Sequence, residues 1–160
     1  MMTDDPPADR NVICARHAAA TGSTGIATHL EFSGDQEEMH DILEPLHHKI
    51  DYVEFASADP ARMCDFFGAT LGWSFEWFGE DYVAFHGAGL EGGIYRADLA
   101  SRSADGAALV VFYSRDLEAS ERMFRTQGAS IIKPVFSFPG GRRFQFAEPT
   151  GNEFAVWSDS

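Results

Sequence analysis

"IDYVEFAS" at residues 50–57, running into "ADPARMCDFFGATLGWSF" at 58–75, decides the fold, because the chain repeats the pattern. Starting 57 residues later, "AALVVFYS" at 107–114 runs into "RDLEASERMFRTQGASII" at 115–132. Each pair reads as a strand rich in β-branched and aromatic residues followed by an amphipathic helix. Each helix opens at an acid able to cap its free amides: Asp59 ahead of Pro60, and Asp116 ahead of Leu117. Each closes at a glycine, Gly72 or Gly128, where a left-handed residue costs least. Met63, Phe66, Phe67 and Leu71 form an apolar stripe on the first helix. Leu117, Met123 and Phe124 form one on the second. These stripes are expected to pack on a sheet.

Three further strand-like runs follow in each half. They are "WSFEWFG", "DYVAFHG" and "EGGIYRA" in the first, and "SIIKPVFSF", "RRFQFAE" and "NEFAVWS" in the second. The expected class is α+β: two repeated strand-helix-strand-strand-strand modules, related by a pseudo-twofold and forming a cleft-bearing curved sheet. "RADLASRSADGAA", Arg96 to Ala108, reads as the linker between modules. "FPGGRRF" at 138–144 reads as a hairpin turn with solvated arginines rather than an anion cradle, since it joins two strands and no helix start follows.

The first 47 residues differ in kind. Nine acids there face only Arg10 and Arg16, and "HAAATGSTG" has little to bury, so residues 1–47 read as an acidic, partly disordered appendage. "DQEEMHDILEPLHH" suits a short amphipathic helix stopping near Pro45, and Met39 just within it suggests a natural start of translation. Residues 48–160 then form one two-module domain.

Composition bounds the partners. With 44% hydrophobic residues and 14 Phe the chain can build a core. With 25 acidic against 12 basic residues, a formal charge of -13, it repels nucleic-acid backbones and anionic lipid surfaces. Cys14 and Cys64 carry no partner motif, so neither a disulfide framework nor a cysteine metal knuckle is expected, and a reducing cytoplasm fits. No apolar run approaches the roughly 18 residues of a membrane span. The acidic, Pro-rich N-terminus does not resemble a signal peptide.

"ADPARMCDFFGATLGWSF" and the closing "AEPTGNEFAVW" at 147–157 resemble the vicinal oxygen chelate superfamily. They look like its first helix with a Leu-Gly-Trp exit and its terminal Asp-Pro-x-Gly-Asn turn. That superfamily holds glyoxalase I, the extradiol dioxygenases, fosfomycin resistance enzymes and bleomycin-binding proteins. The resemblance covers about residues 49 to 158, and one scaffold of this kind hosts many activities. It implies a cleft and, in metal-using members, up to four ligand positions, one near the start of the first strand and one in the last strand of each module. Carried onto this chain, those positions fall at Tyr52, Leu109, Gly93 and Ala155. Leucine, glycine and alanine offer a divalent ion no donor, and tyrosine must first ionise. No metal and no cofactor is therefore expected. Relatives are commonly homodimers, which implies the same here by analogy.

Other chemistry-bearing residues each carry two readings. Glu153 shares a strand face with Ala155, as a displaced ligand or, favoured, as a carboxylate bonding a backbone amide; Glu91 is its counterpart. His17, His29, His40, His47 and His48 fall at or before the first strand, with His48 sharing parity with Tyr52. His86 is the one histidine inside the repeat, suited to acid–base work or structural at a strand end. Glu54 is the best catalytic candidate, unless it pairs with Arg143. Tyr113 and Trp157 share cleft-side parity with Tyr52 and suit stacking on a flat molecule, as core packing between modules also would.

The leading expectation is a metal-free small-molecule binding protein of the glyoxalase/bleomycin resistance type. Its cleft, lined by Tyr52, Glu54, His86, Leu109, Tyr113, Arg143, Ala155 and Trp157, would take an apolar or aromatic compound. The alternative is a metal-dependent lyase or dioxygenase related to glyoxalase I with atypical ligands such as His48, Glu54, His86 or Glu153. A third is a module whose cleft is filled by its own side chains.

Overall fold

The computed structural model describes residues 47–160. The appendage, its helix, Met39 as a start and His17, His29 and His40 lie outside the described residues. The first module runs β1 (Tyr52–Ser57), α1 (Pro60–Leu71), β2 (Ser74–Trp77), β3 (Tyr82–His86) and β4 (Glu91–Arg96). The second repeats the order as β5 (Val110–Tyr113), α2 (Leu117–Thr126), β6 (Ser130–Phe138), β7 (Gly141–Ala147) and β8 (Glu153–Ser158). The class is α+β with two repeated modules. Each module has its own four-stranded sheet, ordered β1-β4-β3-β2 and β5-β8-β7-β6, and neither closes. The first and last strands of a module pair in parallel, and the other pairs are antiparallel.

The helix signals act as their chemistry dictates. The Asp59 carboxylate accepts from the Arg62 amide at 3.2 Å, and Asp116 from the Ala119 amide at 2.9 Å, each satisfying an amide that the helix leaves open. Gly72 ends α1 with φ 70. At α2 the structure corrects the expectation: Gln127 caps the helix, and Gly128, with φ 97, takes the left-handed turn one residue later. Met123 is 36% exposed rather than part of the stripe. It lies about 120° round the helix from Leu117 while Phe124 lies almost above it. Among the described residues, no helix is long and apolar enough to cross a membrane.

The two modules share one aromatic core built from their helix-facing rows. Phe66 of α1 meets Phe124 of α2 at 5.6 Å and Phe146 of β7 at 6.1 Å. Phe67 meets Phe154 at 5.2 Å, and Phe55 of β1 meets the same ring at 5.2 Å. Since α1 packs on both sheets, the helix sides of the sheets are turned toward each other. Their concave sides therefore look away from the shared core. Apolar area drives this choice, because it lets each Phe be buried by both modules at roughly 2–3 kcal/mol a ring.

The closing turn fastens the modules together. The buried Glu148 carboxylate accepts from the amides of Thr150 at 2.7 Å and Asn152 at 3.0 Å, closing the loop on itself. Asn152, fully buried, donates to the Ala56 carbonyl at 2.9 Å and accepts from the Ser101 amide at 2.7 Å. One amide thus ties β1, the linker and β8. The 138–144 stretch is the expected hairpin, turning at Pro139 and Gly140 between β6 and β7, but its arginines are not both solvated, since Arg143 Nε is buried. A β-carbon at Gly141 would stand 2.1 Å from the Ser158 carbonyl oxygen, so only glycine fits there.

Candidate functional site: the two concave sheet faces

Alternation along β1 puts Tyr52 and Glu54 on the concave side, and the register sets Gly93 beside Glu54 with Ala84 beyond it. Tyr82, at the start of β3 on the same face, connects them. Its hydroxyl donates to Glu54 Oε1 at 3.0 Å and lies 2.6 Å from the Tyr52 hydroxyl, which then donates to it. Burial, followed by the hydrogen bonds to Tyr52 and Glu54, pushes the Tyr82 phenol well up. It stays a neutral donor at any ordinary pH. At the other end of the face, His86 Nδ1 stands 3.0 Å from Glu91 Oε2, both partly exposed.

The second module's concave face is more aromatic. Arg143 lies opposite Trp157 on β8 and Phe136 on β6. Its guanidinium carbon sits 5.1 Å from the Phe136 ring centre and 5.8 Å from that of Phe138. Trp157 meets Tyr113 edge-on at 5.3 Å, and the Tyr113 hydroxyl donates to Asp159 at 2.8 Å. Gln145, 3% exposed, faces the fully buried Ala155. Two polar atoms here are buried without a partner: Arg143 Nε and Gln145 Oε1.

Several sequence candidates are thereby placed. Glu153 Oε2 accepts from the Ser103 amide at 2.8 Å, so it bonds backbone and holds the linker. Leu109 precedes β5 rather than lying in it. His48 sits before β1 with φ 59, exposed and stacked on His47 at 3.7 Å; strand parity does not reach it. Glu54 and Arg143 do not pair within the chain, because they lie on concave faces turned away from one core. The candidates fall into two groups: Tyr52, Glu54 and His86 on one sheet, and Tyr113, Arg143, Ala155 and Trp157 on the other.

Sequence reasoning missed Tyr82, Gln145, Phe136 and Phe138 as site residues. Tyr82 and Gln145 were readable by parity, from His86 and Arg143 respectively. Phe136 and Phe138 were hidden, because register shifts between Ile131 and Phe136 break the alternation of β6.

The four positions that the resemblance implied for a divalent ion do not suit one here. Tyr52 is hydrogen-bonded, Leu109 and Ala155 bring no donor, and Gly93 lies beneath Tyr82. A β-carbon at Gly93 would stand 2.1 Å from the Tyr82 hydroxyl oxygen. Among the described residues, no three His, Cys, Asp or Glu side chains come together as a metal site.

The sequence model of the Glyoxalase/Bleomycin resistance protein/Dioxygenase superfamily matches residues 49–156. The chain belongs to this superfamily. Among curated protein sequences none matches. Solved structures of this glyoxalase-like fold resemble it at low identity. The genomically encoded fosfomycin resistance protein FosX from Listeria monocytogenes is 14% identical with a TM-score of 0.59, over 71% of this chain and 94% of that one. A glyoxalase/bleomycin resistance protein/dioxygenase family enzyme from Burkholderia phytofirmans is 12% identical with a TM-score of 0.59, over 69% and 98%. TioX from Micromonospora is 18% identical with a TM-score of 0.54, over 70% and 99%. At such identities the likeness is one of fold.

Proposed function

We propose that this glyoxalase-like chain is a metal-free small-molecule binding protein that holds an apolar or aromatic compound against its concave sheet faces. The observation that carries the reading is the Tyr82 hydroxyl standing over Gly93, so that a phenol fills the place of a metal ligand. Trp157, Tyr113 and Tyr52 offer the ring surfaces such a compound needs. Because the two concave faces look outward, we take the two-walled cleft to be completed by a second copy, the first sheet of one chain facing the second sheet of the other. Charge favours that pairing: Glu54, Glu76 and Glu91 lie on the first face, while on the second Lys133 and Arg143 outnumber Glu153. The absence of a cysteine partner motif supports a cytoplasmic location.

The test is elemental analysis of dialysed protein beside a thermal-shift screen of small aromatics and glutathione adducts. The expected result is no stoichiometric divalent ion and a raised melting temperature with an aromatic compound. One retained ion per chain, needed for binding or turnover, would overturn the reading in favour of the lyase or dioxygenase alternative.

A further inference from the structure

The second module's concave face carries a cation that the chain itself leaves unanswered. In a sequence with 25 acids against 12 bases, Arg143 makes no ion pair and donates no hydrogen bond among the described residues. Its neighbour shows the contrast. Arg142, on the opposite side of β7, pairs with Glu118 and donates to the Ser160 carbonyl at 3.0 Å. Arg143 is instead held against the rings of Phe136 and Phe138, its Nε sealed in while the terminal nitrogens stay accessible on the concave side. Two residues along the same strand face, about 7 Å away, the Gln145 carbonyl oxygen is also buried without a partner. An unanswered donor and an unanswered acceptor stand side by side, flanked by Trp157.

We propose that this face binds a planar aromatic acid. Its carboxylate sits on the Arg143 guanidinium, its ring stacks against Trp157 and Phe138, and an N–H or O–H beside the acid reaches Gln145 Oε1. The proposal rests on the reading of the concave faces as a small-molecule site and adds the charge and donor pattern of the ligand. A guanidinium presents a flat fork that matches two carboxylate oxygens. The phenyl rings fix that fork and exclude water around it, so an anion meets a charge less screened than on an open surface. The acid takes the accessible terminal nitrogens of Arg143, and its neighbouring N–H or O–H gives the Gln145 oxygen the partner it lacks within the chain.

The experiment is calorimetric titration of the full chain with benzoate, 2-aminobenzoate and 1-naphthoate, each beside its neutral amide. At least one acid is expected to bind about ten-fold or more tightly than its amide. Arg143→Gln erases that preference, Arg143→Lys keeps part of it, and Gln145→Leu removes any advantage of 2-aminobenzoate over benzoate. Melting curves of each variant show that it is folded. Amides binding as tightly as acids, or an acid preference surviving Arg143→Gln, overturns the inference and leaves the small-molecule reading standing. If neither acids nor amides bind, both fall.

Discussion

Gly93 lies directly beneath the phenol of Tyr82: a β-carbon there would be 2.1 Å from the hydroxyl oxygen and 2.5 Å from the ring carbon that bears it. The contact is with a buried ring whose hydroxyl is held by both Tyr52 and Glu54, so it cannot swing aside. Gly93→Ala is therefore expected to lose about 1–3 kcal/mol of stability by overpacking. In a Tyr82→Ala background the same change should be close to neutral, and a double-mutant cycle from urea unfolding reads the difference. Equal losses in both backgrounds would show that the phenol does not occupy the position.

Asn152 makes a second prediction on the far side of the core. Its amide satisfies the Ala56 carbonyl and the Ser101 amide from two separate segments, wholly out of water. Asn152→Ala leaves both without a partner, at a cost of about 2–4 kcal/mol. Thr150→Ala, which removes a partly buried hydroxyl from the same turn, should cost less. Thermal unfolding of both variants checks the order.

The contrast between Asn152 and Phe136 shows what the sequence could carry. The repeat announced strands, helices and caps because each is a local rule: an acid before a helix, a glycine after it, alternation along a strand. The same logic set Tyr52, Glu54, Arg143 and Trp157 on concave faces. What local rules could not reach was the relation between modules. That Phe66 reaches Phe146, and hence that Glu54 and Arg143 face away from one core, depends on how two apolar rows share burial. The Gly-Asn turn was legible as a motif but not as a clamp, since its partners Ala56 and Ser101 are distant in the chain. Phe136 and Phe138 were lost to the irregular pairing of β6, which resets parity without any glycine to mark it.

Cys64 gives a prediction with a sign. Burial against the core, with the Asp65 charge second, pushes its thiol from its ordinary value of 9.0 up to about 12. The folded state thus prefers the neutral thiol. Its contribution to stability is fully present below pH 9.0 and drains away as pH rises toward about 12. Iodoacetamide at pH 8 should leave Cys64 unmodified in the native protein and alkylate it once guanidinium unfolds the chain, as read by peptide mass spectrometry. Rapid native labelling would mean that the α1 core opens readily.

The pairing of concave faces is testable through Val111, 42% exposed in the middle of β5 beside Tyr113, itself 52% exposed. The wild-type chain is expected to sediment at about twice its monomer mass. A charge at Val111 must be desolvated if a second copy covers it, so either sign weakens the dimer. The signs should not weaken it equally, because the face opposite carries Glu54, Glu76 and Glu91. Val111→Glu places like charges together and is expected to give monomers, whereas Val111→Lys meets carboxylates and should dissociate at least ten-fold less readily, an advantage that salt reduces. Both variants should keep the wild-type melting profile of the monomer core, since Val111 points away from it. Sedimentation at micromolar concentration reads the outcome. If Val111→Glu remains fully dimeric, the concave faces do not meet, and the cleft must be sought within one chain.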